Sequence, residues 1–257
     1  MAKMKEQENK NEVQTVTQGA VSTERPDFLK KGTGRGAENV GHEDLIIPRL
    51  EVVQSLSPAR DKSHADFIEG AEEGMLYNSV TRELYGEEVM VVPAMYVKEW
   101  LVWKDRKKGG GFRGAFPSEA QANAAIAALD GDDNPEEFEA MDTGQMYCLL
   151  LLSSGEVQQI VVSMAKTKMK VARKWNSLIA LSGDDSFARA YKISSVQEAN
   201  KKNEKYYNLH VAPAGFVAEA IYIAAEKLYE TVKAGGVKAD TSGQAPETGV
   251  SSSSSEF

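Results

Sequence analysis

Apolar and polar positions divide the chain into three parts. In residues 1–43, apolar side chains are scattered without period among Glu, Lys, Asn, Gln, Thr and Gly. Such a segment cannot offset the entropy of ordering, so a disordered N-terminal segment is expected there. Residues 44–235 carry the periodic signal and are expected to form one domain. From Val237 the sequence changes to a Ser- and Gly-rich run ending SSSSSEF, and a flexible C-terminal tail is expected over 236–257.

Within the domain, LIIPRLEVVQ (45–54) is an apolar run broken by Pro48, which reads as an edge strand or extended lead-in. GMLYNSVTRELYG (74–86) predicts two short extended pieces about a turn at 78–81. EEVMVVPAMYVKEWLVW (87–103) is the strongest strand, with Pro93 marking a bend or bulge. SEAQANAAIAALDG (118–131) has Ser118 as N-cap and an alanine-rich body, and predicts a short helix. QMYCLLLL and EVQQIVVS flank Ser153-Ser154-Gly155 as a hairpin. The unbroken apolar run of its first strand implies burial on both faces.

MAKTKMKVARKWNSLIALSG (164–183) predicts a helix stopped by Gly183. Met164, Val171, Trp175 and Leu178 lie on one side of it, and Lys166, Lys170, Arg173 and Lys174 on another. FARAYKISSVQEAN and EKYYNLHVAPAG predict a second hairpin about 201–203, and residues 216–235 an amphipathic closing helix. Strands do not alternate regularly with crossover helices, so a doubly wound parallel sheet is disfavoured. The order predicts a mainly β (α+β) protein: an OB-fold-like antiparallel barrel with inserted helices and a C-terminal helix.

The net charge of −8 argues, taken globally, against a nucleic-acid binder, until the charge is mapped along the chain. The one cysteine, Cys148, excludes an intramolecular disulfide and fits a reducing compartment. The charged start lacks a following apolar stretch, so no signal peptide is expected, and no window is apolar enough for a membrane span. A soluble, cytoplasmic protein without membrane contact is the expectation.

Enzymatic chemistry finds no support. His42, His64 and His210 have no Cys or His partner at ligand spacing, so no metal site and no cofactor are expected. KGTGRG (31–36) follows no strand and opens no helix, and KKGGGFRG (107–114) lacks the GK[ST] end of a phosphate-binding loop. Asp130, Asp132, Asp133, Glu136, Glu137, Glu139 and Asp142 fall in one acidic stretch, read as a solvated face or a charge mimic. A magnesium-dependent nuclease would need carboxylates converging from different elements.

Positive charge and aromatic rings coincide in three places. The first holds Trp100, Trp103, Lys104, Arg106, Lys107, Lys108, Phe112 and Arg113. The second holds Lys166, Lys168, Lys170, Arg173, Lys174 and Trp175, and the third Arg189, Tyr191, Lys192, Lys201, Lys202, Lys205, Tyr206 and Tyr207. Cations that track phosphates and rings that stack on bases are what a sequence-tolerant single-strand binder needs. Spacing sets limits on the rings. Trp100 and Trp103 point to opposite strand faces, so at least one belongs to the core, and the same alternation separates Tyr206 from Tyr207. Trp175 lies on the apolar side of its helix, which favours core. The expected groove is Trp100 or Trp103, Lys104, Arg106, Lys107, Lys108, Phe112, Arg113, Lys166, Lys170, Arg173, Lys174, Tyr191, Lys192, Tyr206 and Tyr207. The terminal Glu256-Phe257, on a mobile tether, suits capture by a partner pocket. Two rivals are an adaptor that inhibits a host protein through the acidic loop, and a metal-dependent nuclease.

A family likeness joins these segments. VVSMAKTKMKVARKWNSLI and FARAYKISSVQEANKKNEKYYNLHV, preceded by IIPRLEVVQSLSPA, GMLYNSVTRELYG and VVPAMYVKEWLVW, resemble bacteriophage single-stranded DNA-binding proteins of the oligonucleotide-binding-barrel type, over 44–211. The resemblance implies coating of single-stranded DNA during phage replication or recombination. It also implies tail contacts with replication or recombination proteins. The tail keeps a terminal Phe257 but carries only Asp240, Glu247 and Glu256 as acid, fewer than the strongly acidic tails of that group.

Overall fold

A computed structural model describes residues 35–36, 38–41, 46–105, 108–129 and 133–241. In chain order the elements are β1 (Ile46–Ile47), β2 (Leu50–Val52), β3 (Leu76–Asn78), β4 (Leu84–Gly86), β5 (Glu88–Lys104), β6 (Phe112–Phe116), α1 (Glu119–Ala127), β7 (Phe138–Leu151), β8 (Val157–Ala165), α2 (Met169–Ser182), β9 (Arg189–Ala199), β10 (Lys205–Phe216), α3 (Glu219–Lys233) and β11 (Lys238–Ala239). The fold is mainly β, with an antiparallel main sheet.

The main sheet has the order β10–β9–β5–β7–β8. One edge of β5 pairs with β7 along most of its length, from Met90↔Leu151 to Lys104↔Phe138. Its other edge is shared between β9 at Glu88–Val91 and β6 at Trp100–Trp103. The register slips between Pro93 and Met95, the bulge expected at this proline.

The alternation of side chains along β7 builds two cores. Met146, Cys148 and Leu150 pack with Trp175 and Val171 of α2 and with Leu50, Val52 and Leu76 of the small sheet β2–β3–β4. Tyr147 and Leu149 face the other way, against Ala225, Leu228 and Val232 of α3. Burial on both faces is what the run YCLLLL encodes.

The main sheet does not close into a barrel. Its β8 edge meets the chain before β2 at the parallel bridge Arg49↔Val161, where Val161 N–H donates to Pro48 O over 2.8 Å. At the β10 edge the neighbour is a side chain: Gln54 Nε2 donates to Tyr207 O and Gln54 Oε1 accepts from Tyr207 N, both at 2.8 Å. The small sheet thus sits between the two edges of the large one without a continuous ladder.

Several boundaries differ from expectation. Met164 and Ala165 belong to β8, because β7 holds them by the pairs Gly144↔Met164 and Thr143↔Ala165, so α2 starts only at Met169. It ends as expected at Gly183, with φ +71°. β10 runs on to Phe216, which delays α3 to Glu219. The end of the acidic stretch is strand, since Phe138 and Met141 are buried in β7. The chain also remains in the fold past 235. β11 pairs in parallel with β1, and Asp240 is buried with Oδ2 accepting from Ser79 Oγ over 2.6 Å. Among the described residues no helix is long and apolar enough to cross a membrane.

Candidate nucleic-acid interface

The expected groove residues fall into two surface clusters and a buried remainder. The first cluster lies where β5 ends and β6 begins. Lys104 Nζ pairs with Asp133 Oδ1 at 3.1 Å and Glu137 Oε2 at 3.4 Å. Arg113 also pairs with Asp133, and Lys108 with Glu137 at 3.8 Å. Lys104 and Arg113 both lie over the Phe138 ring, each 5.4 Å from its centroid. The hydrogen bond between Lys104 and Asp133 raises the pKa of the ammonium and lowers that of the carboxyl. Each of these three cations therefore faces a carboxylate, and the three share two, Asp133 and Glu137. Phe112 packs on Trp103 with ring centroids 5.2 Å apart, and Trp100 is half-buried among Val102, Ala122 and Phe138. Arg106 and Lys107 lie outside the described residues, as do Asp130 and Asp132.

The second cluster is made by α2 and the β9–β10 hairpin. Met169, Val171, Ala172 and Trp175 turn into the core, which leaves Lys170, Arg173, Lys174 and Ser177 exposed on the opposite side. Lys174 Nζ donates to His210 Nε2 over 3.3 Å. Neither Lys174 nor Arg173 has a carboxylate at ion-pair distance among the described residues; Lys170 has one, Glu198. Lys170 Nζ lies 2.7 Å from both oxygens of Glu198. Tyr206 OH donates to Glu198 Oε2 over 2.7 Å, and Asn208 Nδ2 over 3.0 Å. Burial opposes the Glu198 charge, but the hydrogen bonds from Asn208, Lys170 and Tyr206 outweigh it and hold its pKa below the ordinary value. Tyr206 is pushed up to about 12, by desolvation first and then by its bond to that carboxylate. Lys192 pairs with Glu88 at 3.1 Å, and Lys166 with Glu139 at 2.8 Å.

Two groove rings, Trp103 and Tyr191, are corrected to the core, and Trp175 lies there as its helical spacing predicts. Trp103 and Tyr191 are each 1% exposed and Trp175 is 0% exposed, so none offers a face to a base. Trp175 and Tyr191 pack on each other with centroids 5.8 Å apart. Tyr207 is likewise committed to packing. Its ring lies so close over Gly74 that a Cβ there would sit 2.6 Å from Tyr207 Cε1, and its hydroxyl accepts from Gln197 Nε2 over 3.3 Å. Glu256 and Phe257 lie outside the described residues.

The sequence reading missed three contributors to the surface, His210, Glu198 and Phe216. His210 and Glu198 lie among the clustered cations. Phe216 is 70% exposed, with the Arg189 guanidinium 4.2 Å from its ring centroid. The cue for His210 was its alternation with Tyr206 and Asn208 along β10. Glu198 carried no local signal, whereas Arg189 was already part of the third basic–aromatic cluster. Among the described residues no group of three or more His, Cys, Asp or Glu is placed to hold a metal ion.

No curated protein and no solved structure matches the chain. A family profile described as Pam3 phage gp34-like protein matches residues 16–238, which spans the main sheet, the three helices among the described residues and both cation clusters. The chain belongs to this phage protein family.

Proposed function

We propose that the protein is a non-catalytic, sequence-tolerant single-stranded DNA-binding protein of a phage, serving replication or recombination, and that the strand runs over the surface shared by α2 and β10. The observation that carries the reading is the Arg173–Lys174–His210 grouping. Lys174 of α2 meets His210 of β10, Arg173 is next along α2, and neither Arg173 nor Lys174 has a carboxylate at ion-pair distance among the described residues. The half-buried ring of Tyr206 lies further along β10, beside Glu198 and Lys170, and supplies a stacking surface. The β5–β6 cluster is a weaker candidate because Asp133 and Glu137 already satisfy its cations. In this reading the sheet is a relative of the oligonucleotide-binding barrel, open between β8 and β10. The small sheet and α2 fill the opening, and tail contacts with replication proteins through Glu256 and Phe257 belong to the same proposal.

Fluorescence anisotropy of labelled oligo-dT tests it. The reading expects binding at low salt that weakens as salt rises, with a slope near −0.7 per phosphate contact in a log–log plot. Absence of binding at low salt overturns the reading and leaves the adaptor. Cleavage of the strand in magnesium or manganese points to the nuclease.

A further inference from the structure

Glu198 is held by more donors than an ordinary surface carboxylate. Its two oxygens receive Lys170 Nζ at 2.7 Å each, and Oε2 also receives Tyr206 OH and Asn208 Nδ2. These donors come from a helix and from β10, elements far apart in sequence. The orientation of Asn208 is fixed by its other end, because Oδ1 accepts from Leu209 N over 2.8 Å and Asn208 is fully buried. Its Nδ2 must therefore point at the site. A cation, a phenol and a fixed amide around two anionic oxygens form a donor set that suits a phosphodiester as well as a carboxylate, since both present paired oxygens sharing a negative charge.

We propose that Lys170, Tyr206 and Asn208 form a phosphodiester site, and that Glu198 is its resident occupant when no strand is bound. The inference rests on the single-strand reading above and adds a built-in competitor to it. Glu198 is tethered in place, so a backbone phosphate must displace it to reach Lys170, whereas Arg173 and Lys174 next along α2 need no such displacement. Weak or foreign anions are thereby excluded from the site, and a strand already anchored at Arg173 and Lys174 can enter it.

The test compares wild type with Glu198→Gln and Glu198→Ala in oligo-dT anisotropy across a salt series, with thermal unfolding of each measured alongside. One freed phosphate contact steepens the salt slope by about 0.7, which is about five-fold tighter binding at 0.1 M salt. Both variants are expected to show this even where their melting temperatures fall. A purely structural ion pair predicts the opposite pattern, with lower melting temperature and an unchanged or shallower slope, and that result overturns the inference while the single-strand reading stands. If no form binds at low salt, both readings fall.

Discussion

Gln54 is bonded to Tyr207 through both ends of its side-chain amide, Nε2 to the carbonyl and Oε1 to the N–H, each at 2.8 Å. A side chain thus makes the pair of bonds that a neighbouring strand would make. Edge strands expose such groups to unwanted pairing, and β10 is protected further where Asn208 accepts from Leu209 N. Gln54→Ala leaves both Tyr207 groups without this partner and is expected to destabilise the protein by about 1–3 kcal/mol. Urea denaturation measures the loss; Gln54→Glu should also lose stability, because a carboxylate cannot donate to the Tyr207 carbonyl.

Gly144 is required by Tyr96. A Cβ at 144 would lie 2.5 Å from the Tyr96 hydroxyl and 2.7 Å from Cε2, closer than real Cβ contacts come. Gly144→Ala should cost on the order of 1–3 kcal/mol by overpacking. Combined with Tyr96→Ala, the loss should be smaller than the sum of the single losses, because the clash is gone. Additive losses in a double-mutant cycle would count against this contact.

Cys148 reports on the centre of the sheet. It is fully buried in β7, and burial pushes its thiol pKa well up, so the reactive thiolate is suppressed in the folded state. A thiol reagent should label it only through an opening that unfolds β7, with a free energy equal to that of global unfolding. Rapid labelling in native buffer would contradict the placement.

The paired hairpin strands and long β5 were legible because their signals are local. Ser153-Ser154-Gly155 is a turn between two apolar runs, and Pro93 marks its own bulge. Trp175 announced its burial by helical spacing, and the parity of Tyr206 and Tyr207 required different environments. What escaped was tertiary. Phe138 and Met141 were hidden among acidic residues, and only their pairing with Lys104 and Leu101 of β5 makes them strand. The surface was misread for the same reason. Lys104 and Asp133 are 29 residues apart, and Lys170 and Glu198 are 28 apart, so mutual neutralisation cannot be read from either neighbourhood. The one groove expected from the sequence becomes one cluster whose described cations are all ion-paired and one in which Arg173 and Lys174 have no carboxylate partner among the described residues.

Of the phenols whose pKa is raised, two should titrate latest. Tyr147 is pushed up to about 12 by burial first and by the Glu99 charge second, and Tyr206 to the same value. A folded pKa raised above the ordinary 10 means that the unfolded state releases the proton first. Their contribution to stability is therefore complete below pH 10 and is lost as pH rises toward 12. Phenolate absorbance should show late-ionising tyrosines in the folded protein, and Tyr206→Phe should remove one of them. Uniform titration near 10 would refute the Glu198–Tyr206 bond.

The most direct measurement removes charge from each cluster separately and compares oligo-dT binding across a salt series. Arg173→Ala with Lys174→Ala should weaken binding for every base sequence and flatten the salt slope by about 1.4, two single-strand contacts. Lys104→Ala with Arg113→Ala should leave the slope unchanged and lower stability, because those cations serve Asp133. A full slope in the first variant, or the flattening appearing only in the second, would contradict a strand path over α2 and β10.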